Sequence, residues 1–149
     1  MVAAEGIVLG SPVHIDQVTA QMKAFIDRTA DAIHCQLLTG RYGCSVATSW
    51  ESGGNAVVEY LNHVLHWLGE VTVGDTWAAL GENPDALLPA EEAAVTLGET
   101  LAGAIRTGRN YPGQEEEIGE NRRAFLEIVR EHRAAWPHEY AFWKERGWI

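Results

Sequence analysis

The apolar positions of the chain form short continuous runs separated by longer periodic stretches. Ile7-Val8-Leu9 is such a run, closed by Gly10-Ser11-Pro12. A run without alternation suits a strand covered on both faces, as in a parallel sheet. Pro12 restrains the backbone just beyond it. Val18, Met22, Phe25, Ile26 and Ala30 then recur at helical spacing behind Asp16 as N-cap, which predicts a helix over about 17–32. After the turn Gly40-Arg41-Tyr42-Gly43, the stretch Cys44-Ser45-Val46-Ala47-Thr48 reads as a second strand. Val57, Val58, Leu61, Val64, Leu65 and Leu68 give the next helix a broad apolar stripe, ended by Gly69.

Val71-Thr72-Val73 is a third short strand, closed by Gly74. Asp75 to Pro89 reads as a loop, with Gly81, Asn83-Pro84 and Pro89 as breakers. A helix follows over about 90–105, its core side Ala94, Leu97, Leu101 and Ile105. Gly108 to Gly113 connects to a last helix that opens on Glu115-Glu116-Glu117, where the helix dipole favours anions. The end of the chain carries Trp136, Tyr140, Phe142, Trp143 and Trp148, too many aromatics to leave in water. This tail is expected to lie on the body of the domain or on a partner subunit. Strand and helix alternate three times before that appendage, which makes the fold class α/β with a parallel sheet.

Composition narrows the partners. With 149 residues and 46% apolar content, the chain can build one domain with a real core. The net charge of −10 argues against a nucleic-acid surface, although 6 of the 11 basic residues follow Glu115. No apolar run approaches the roughly 18 residues of a membrane span, and no signal peptide is evident, so a cytoplasmic setting is expected. Cys35 and Cys44 are at neither CxxC nor zinc spacing, and two separate thiols are expected rather than a disulfide.

In open α/β sheets, ligands lie beyond the carboxyl ends of the strands. Two segments run from a strand end into a helix start there, Gly10 to Asp16 and Thr48 to Asn55. Ser11, Thr48, Ser49 and Asn55 can add polar contacts, and Gly53-Gly54 permits close backbone approach. Trp50 offers a face for a planar ligand, or else packs at an interface. His14 is a polar loop side chain with no assigned proton-transfer role. His63 and His66 share a helix face, but the order is not H-E-x-x-H and no third ligand is identifiable, so no metal site is assigned. The chain has no G-x-S-x-G elbow, no G-x-G-x-x-G and no P-loop, and no catalytic side chain is assigned.

Gly10-Ser11-Pro12-Val13-His14 followed by Val18-Thr19-Ala20-Gln21-Met22-Lys23-Ala24-Phe25-Ile26-Asp27-Arg28-Thr29 closely resembles the middle of the NADPH-dependent FMN reductase-like proteins. These belong to the flavodoxin-like superfamily and include the iron–sulfur flavoproteins. The segment from Ala47 to Asn55 and the ending from Trp136 to Trp148 resemble them as well. The resemblance implies a truncated flavodoxin-like three-layer sandwich. Its strands would be equivalent to 3-4-5 of the order 2-1-3-4-5, with residues 1–114 as the partial domain and 115–149 as a helical extension.

It also implies that Ser11, Pro12, Val13, His14 and Ile15 lie beside the FMN ring and ribityl chain. Thr48, Ser49, Trp50, Glu51, Gly53, Gly54 and Asn55 would lie along the other side of the ring. His14 stands where the family usually has Tyr, and Trp50 and Glu51 are bulkier than the family's usual small residues. The family's phosphate loop and cysteine cluster have no counterpart here, because six residues precede Ile7. The edge of the first strand is therefore expected to pair with another copy, another chain or a rearranged segment.

The function so implied is an FMN-dependent NAD(P)H oxidoreductase or a subunit of one, with a possible electron-transfer partner. The alternatives are a non-catalytic flavodoxin-like binding or assembly protein that has lost FMN, and an unrelated ligand in the reused cleft.

Overall fold

A computed structural model describes residues 3–149. Strands β1 (Gly6–Pro12), β2 (Tyr42–Ser49) and β3 (Val71–Ala79) form one parallel sheet in the order β1-β2-β3. The helices are α1 (Ala20–Asp27), α2 (Ala30–His34), α3 (Gly54–Trp67), α4 (Leu87–Thr107), α5 (Pro112–Glu131) and α6 (Pro137–Glu145). On one face, Ile7, Leu9 and Ala47 join Val57, Leu61 and Leu65 of α3 in the main core, with Val18, Ile26 and Leu38. On the other, Leu97 and Leu101 of α4 cover Cys44, Tyr42, Val46 and Val73. The result is a short three-layer α/β sandwich with a parallel sheet, as the alternation of elements predicts, and it has the truncated flavodoxin-like form that the resemblance implies.

Four local expectations need correction. The first strand is not covered on both faces: Ile7, Leu9 and Ser11 are buried, whereas Val8 is 53% exposed. The reason is where α4 lies. It packs mainly over β2 and β3, and it approaches β1 at Gly6, where an added Cβ would sit 2.7 Å from Ile105 Cδ1. The helix expected over 17–32 is instead two helices. Its cap is Thr19, whose hydroxyl accepts from the Met22 N–H at 3.2 Å, and not Asp16. The break falls at Arg28–Thr29, where the Thr29 hydroxyl and N–H both donate to the Ile26 carbonyl and draw the chain out of the helical ladder.

The third strand runs on to Ala79, through residues expected to be loop. Its register shifts between the partners Gly43 and Ser45, at Gly74 with φ +141°. This bulge, and the partial exposure of an edge strand, hide the strand from an apolar pattern. Helix α4 likewise starts at Leu87, ahead of the breaker Pro89. Proline is accepted there because a first-turn N–H has no helical partner to lose.

The C-terminal helices are held by buried polar clamps. The Gln114 amide donates to the Thr72 carbonyl and accepts its N–H, each at 2.9 Å. It thus treats β3 as a neighbouring strand would. Fully buried Gln36 donates to the Ile118 carbonyl at 3.1 Å and accepts from Arg122 Nε at 3.0 Å. Trp143, 1% exposed, donates from Nε1 to the His34 carbonyl at 2.9 Å. Trp148 stacks under the Arg122 guanidinium, 4.2 Å from its centroid. Of the two places expected for the aromatic tail, the body of its own domain is the one observed. Cys35 and Cys44 are both free and buried. Among the described residues no helix is long and apolar enough to cross a membrane.

Candidate functional site at the carboxyl edge of the sheet

All three strands end on one edge, and the segments leaving them are tied together there. The Val13 N–H donates to the Thr48 carbonyl at 2.8 Å, joining the first segment to β2. The Leu80 N–H donates to the Ser49 carbonyl at 3.0 Å, joining the third. Gly53 takes φ +85°, and an added Cβ would lie 2.7 Å from Asp16 Oδ1, so the first two segments press against each other. At Gly54 the Trp77 indole occupies the space of a side chain, 2.2 Å from the ideal Cβ position. Gly53-Gly54 therefore does permit the close approach that the sequence suggests, toward the protein's own Asp16 and Trp77.

The first segment folds into a tight turn. His14 and Gln17 exchange backbone hydrogen bonds at 2.9 and 3.1 Å. Between them Ile15 and Asp16 take φ of +52° and +58°, the left-handed pair found in type I′ turns. For a β-branched residue this is strained backbone. Ile15 is nevertheless at the tip, 98% exposed. The Ser11 hydroxyl is engaged within the chain. It is buried, accepts from the Thr19 N–H at 3.0 Å and donates to the Pro12 carbonyl at 2.8 Å, fixing the exit from β1. Pro12 and His14 are exposed and Val13 is half-buried.

The second segment is more open. Trp50 is 64% exposed, and Thr48, Glu51 and Asn55 are exposed beside it. Asn55 Nδ2 donates to Glu59 at 2.7 Å. Ser49 is buried, and its hydroxyl has no hydrogen-bond partner among the described residues. Helix α3 starts here without a side-chain cap, and its first backbone bond is from the Val57 N–H to the Gly53 carbonyl. The N–H groups of Gly54, Asn55 and Ala56 therefore remain unpaired among the described residues. Charge is one-sided: segments 10–19, 48–56 and 79–86 contain Asp16, Glu51, Glu82 and Asp85 and no Lys or Arg. Such an edge can take a planar, acceptor-rich group through N–H donors and an aromatic face. It supplies no cation for a phosphate.

The third segment, Leu80-Gly81, escapes the sequence reading because β3 was expected to end at Val73. A strand known to reach Ala79 would have pointed to it by the same carboxyl-edge rule. His63 and His66 make separate contacts among the described residues. His66 Nε2 lies 2.8 Å from Gln114 Oε1 in the clamp on Thr72, while His63 packs against Trp67.

Comparison with known proteins agrees with this architecture. An iron–sulfur flavoprotein from Archaeoglobus fulgidus is 32% identical over 148 residues, which are 98% of this chain and 66% of that protein. The chain thus spans just under two thirds of that relative. The Trp repressor binding protein of Bacillus subtilis superposes with a TM-score of 0.56 at 18% identity, over 64% of this chain and 66% of that one. A WrbA-like flavodoxin from Agrobacterium tumefaciens gives 0.59 at 16% identity, over 72% and 70%. An NADH:FMN oxidoreductase in its apo form gives 0.53 at 20%, over 76% and 59%. These structures establish the flavodoxin-like fold. The profile described as NADPH-dependent FMN reductase matches residues 1–85, more than half of the sequence, and the chain belongs to that family.

Proposed function

We propose that the carboxyl edge holds the isoalloxazine ring of FMN and that the chain works as part of an FMN-dependent NAD(P)H oxidoreductase. The observation that carries this is the uncapped start of α3, with its unpaired N–H groups, beside exposed Trp50 and across from the strained Ile15 turn. Ring carbonyls and nitrogens are acceptors for such donors, and the indole supplies a stacking or edge contact. Bound flavin would supply the hydride or electron chemistry. The residues of this chain orient the ring, shield one side of it and set the polarity around it.

The donor set fits the ring and not the phosphate, because the three segments carry only acidic charge. The phosphate contacts then come from residues outside these segments, in a second copy or another chain that also pairs with the β1 edge. Exposed Val8 on β1, and Val95, 61% exposed on α4, are apolar surface available to it.

The test compares FMN with riboflavin, by fluorescence quenching and absorbance near 450 nm (~, flavin chemistry). Comparable affinity for both supports a ring-only site. Binding of neither would leave the second reading, a flavodoxin-like binding or assembly protein without flavin. The acidic edge is the observation that favours that second reading.

A further inference from the structure

We propose that α2 and α6 together form a site for a divalent transition metal of the zinc class, built from Asp31, His34 and Glu139. One ligand atom from each, a ring nitrogen of His34 and a carboxylate oxygen of each acid, lies within 4.8 Å of the other two. Ligands on a zinc ion sit about 2.0–2.2 Å from it, so modest side-chain movement would close the three around one ion. Asp31 and His34 are three apart on α2 and face the same way. Glu139 reaches them from the first turn of α6.

This is not an ordinary surface cluster of acids. Glu139 is 7% exposed and makes no hydrogen bond or ion pair among the described residues. His34 Nδ1 is buried and also without a partner. A mostly buried acid whose carboxylate opens only to a surface cleft, with a partnerless histidine nitrogen and a second acid beside it, points to a shared cation. The imidazole stays in place because it stacks on Trp136, 4.4 Å between centroids, and packs against Phe125. Its backbone carbonyl is held by Trp143 Nε1.

The ligand types select the ion. One nitrogen and two oxygens suit zinc, cobalt or nickel, while magnesium and calcium prefer all-oxygen shells. A surface cleft lined by Asp31, Cys35, Pro137, His138 and Glu139 gives an entry path and room for water on the remaining coordination positions. The site shares no residue with the three segments at the sheet edge. Its consequence is mechanical: an ion there ties α6 and the aromatic tail to α2.

The test uses untagged full chain and Co²⁺ as probe. One Co²⁺ per chain is expected, with a visible absorption band bleached by Zn²⁺. The Trp143 indole N–H resonance should broaden, since it is bonded to the His34 carbonyl. Asp31→Asn, an exposed change, and Glu139→Gln should each weaken Co²⁺ binding at least about tenfold, with unchanged circular dichroism confirming the fold. The proposal is overturned if wild-type protein takes up no stoichiometric Co²⁺. It is equally overturned if Asp31→Asn, correctly folded, binds as tightly as the parent, or if the Trp143 signal is unaffected at saturation.

Discussion

Replacing Glu70 by Gln should remove most of a pH dependence from the stability of this domain. Glu70 stands between α3 and β3, fully buried, and neither carboxylate oxygen has a hydrogen-bond partner among the described residues. It fits because residue 43 is glycine: a Cβ there would lie 3.0 Å from the Glu70 carboxyl. Burial pushes the carboxyl up to about 8, and the positive charge of Arg41 opposes that rise only in part.

In the unfolded chain a glutamate titrates near 4.3. The folded state therefore binds the proton more tightly. The neutral acid carries no penalty below the unfolded value, and stability falls as pH rises toward the folded one. Over the whole span the loss approaches about 5 kcal/mol, at about 1.36 kcal/mol per unit. Most of it develops between pH 5 and pH 8, and about 2.5 kcal/mol between pH 5 and pH 7. Glutamine is nearly isosteric and does not titrate. Urea unfolding of both proteins across that range should show the stability of Glu70→Gln relative to the parent rising by that amount. A difference that stays flat from pH 5 to pH 8 would refute the reasoning and mean that the carboxyl ionises freely in the folded protein.

Three further substitutions test the packing and the candidate site. Gly54→Ala places a methyl inside the Trp77 ring and should cost about 1–3 kcal/mol in denaturant unfolding, with a shift in Trp77 fluorescence. Ile15→Asn relieves a β-branched residue at φ +52° and should stabilise by about 1 kcal/mol; no gain in urea midpoint would show that the turn is not strained. Trp143→Ala removes a fully packed indole and its bond to the His34 carbonyl. It should cost about 3–5 kcal/mol, and protease should then cut the α5–α6 region first.

What was readable in the sequence divides along physical lines. The strand-helix alternation is legible because α3 buries a broad stripe, with Val58, Leu61 and Leu65 at 0% exposure. Such a stripe has one period and one interpretation. β3 beyond Gly74 is held by backbone hydrogen bonds at a sheet edge, so its side chains carry little pattern. The break at Thr29 depends on one hydroxyl, which periodicity does not weigh. The two carboxyl-edge segments were locatable by the topological rule, but that Ser11 spends its hydroxyl on Thr19 follows only from the fold. Glu139 and His34 meet through the packing of α6 on the body, a contact between segments far apart in sequence that no spacing announces.

The Gln114 amide has a consequence for assembly. By occupying both hydrogen-bonding groups of Thr72, it blocks that end of β3 from acquiring a further strand. The two outer strands therefore differ at that end: β3 is closed at Thr72, while β1 has no neighbouring strand on its outer side among the described residues. If two copies meet along β1 about a twofold axis, each covers the other's β1 edge, and a third could add only along β3, past the Gln114 cap on Thr72. A side chain on the far side of the sheet would in this way shorten the edge along which such a pair could grow.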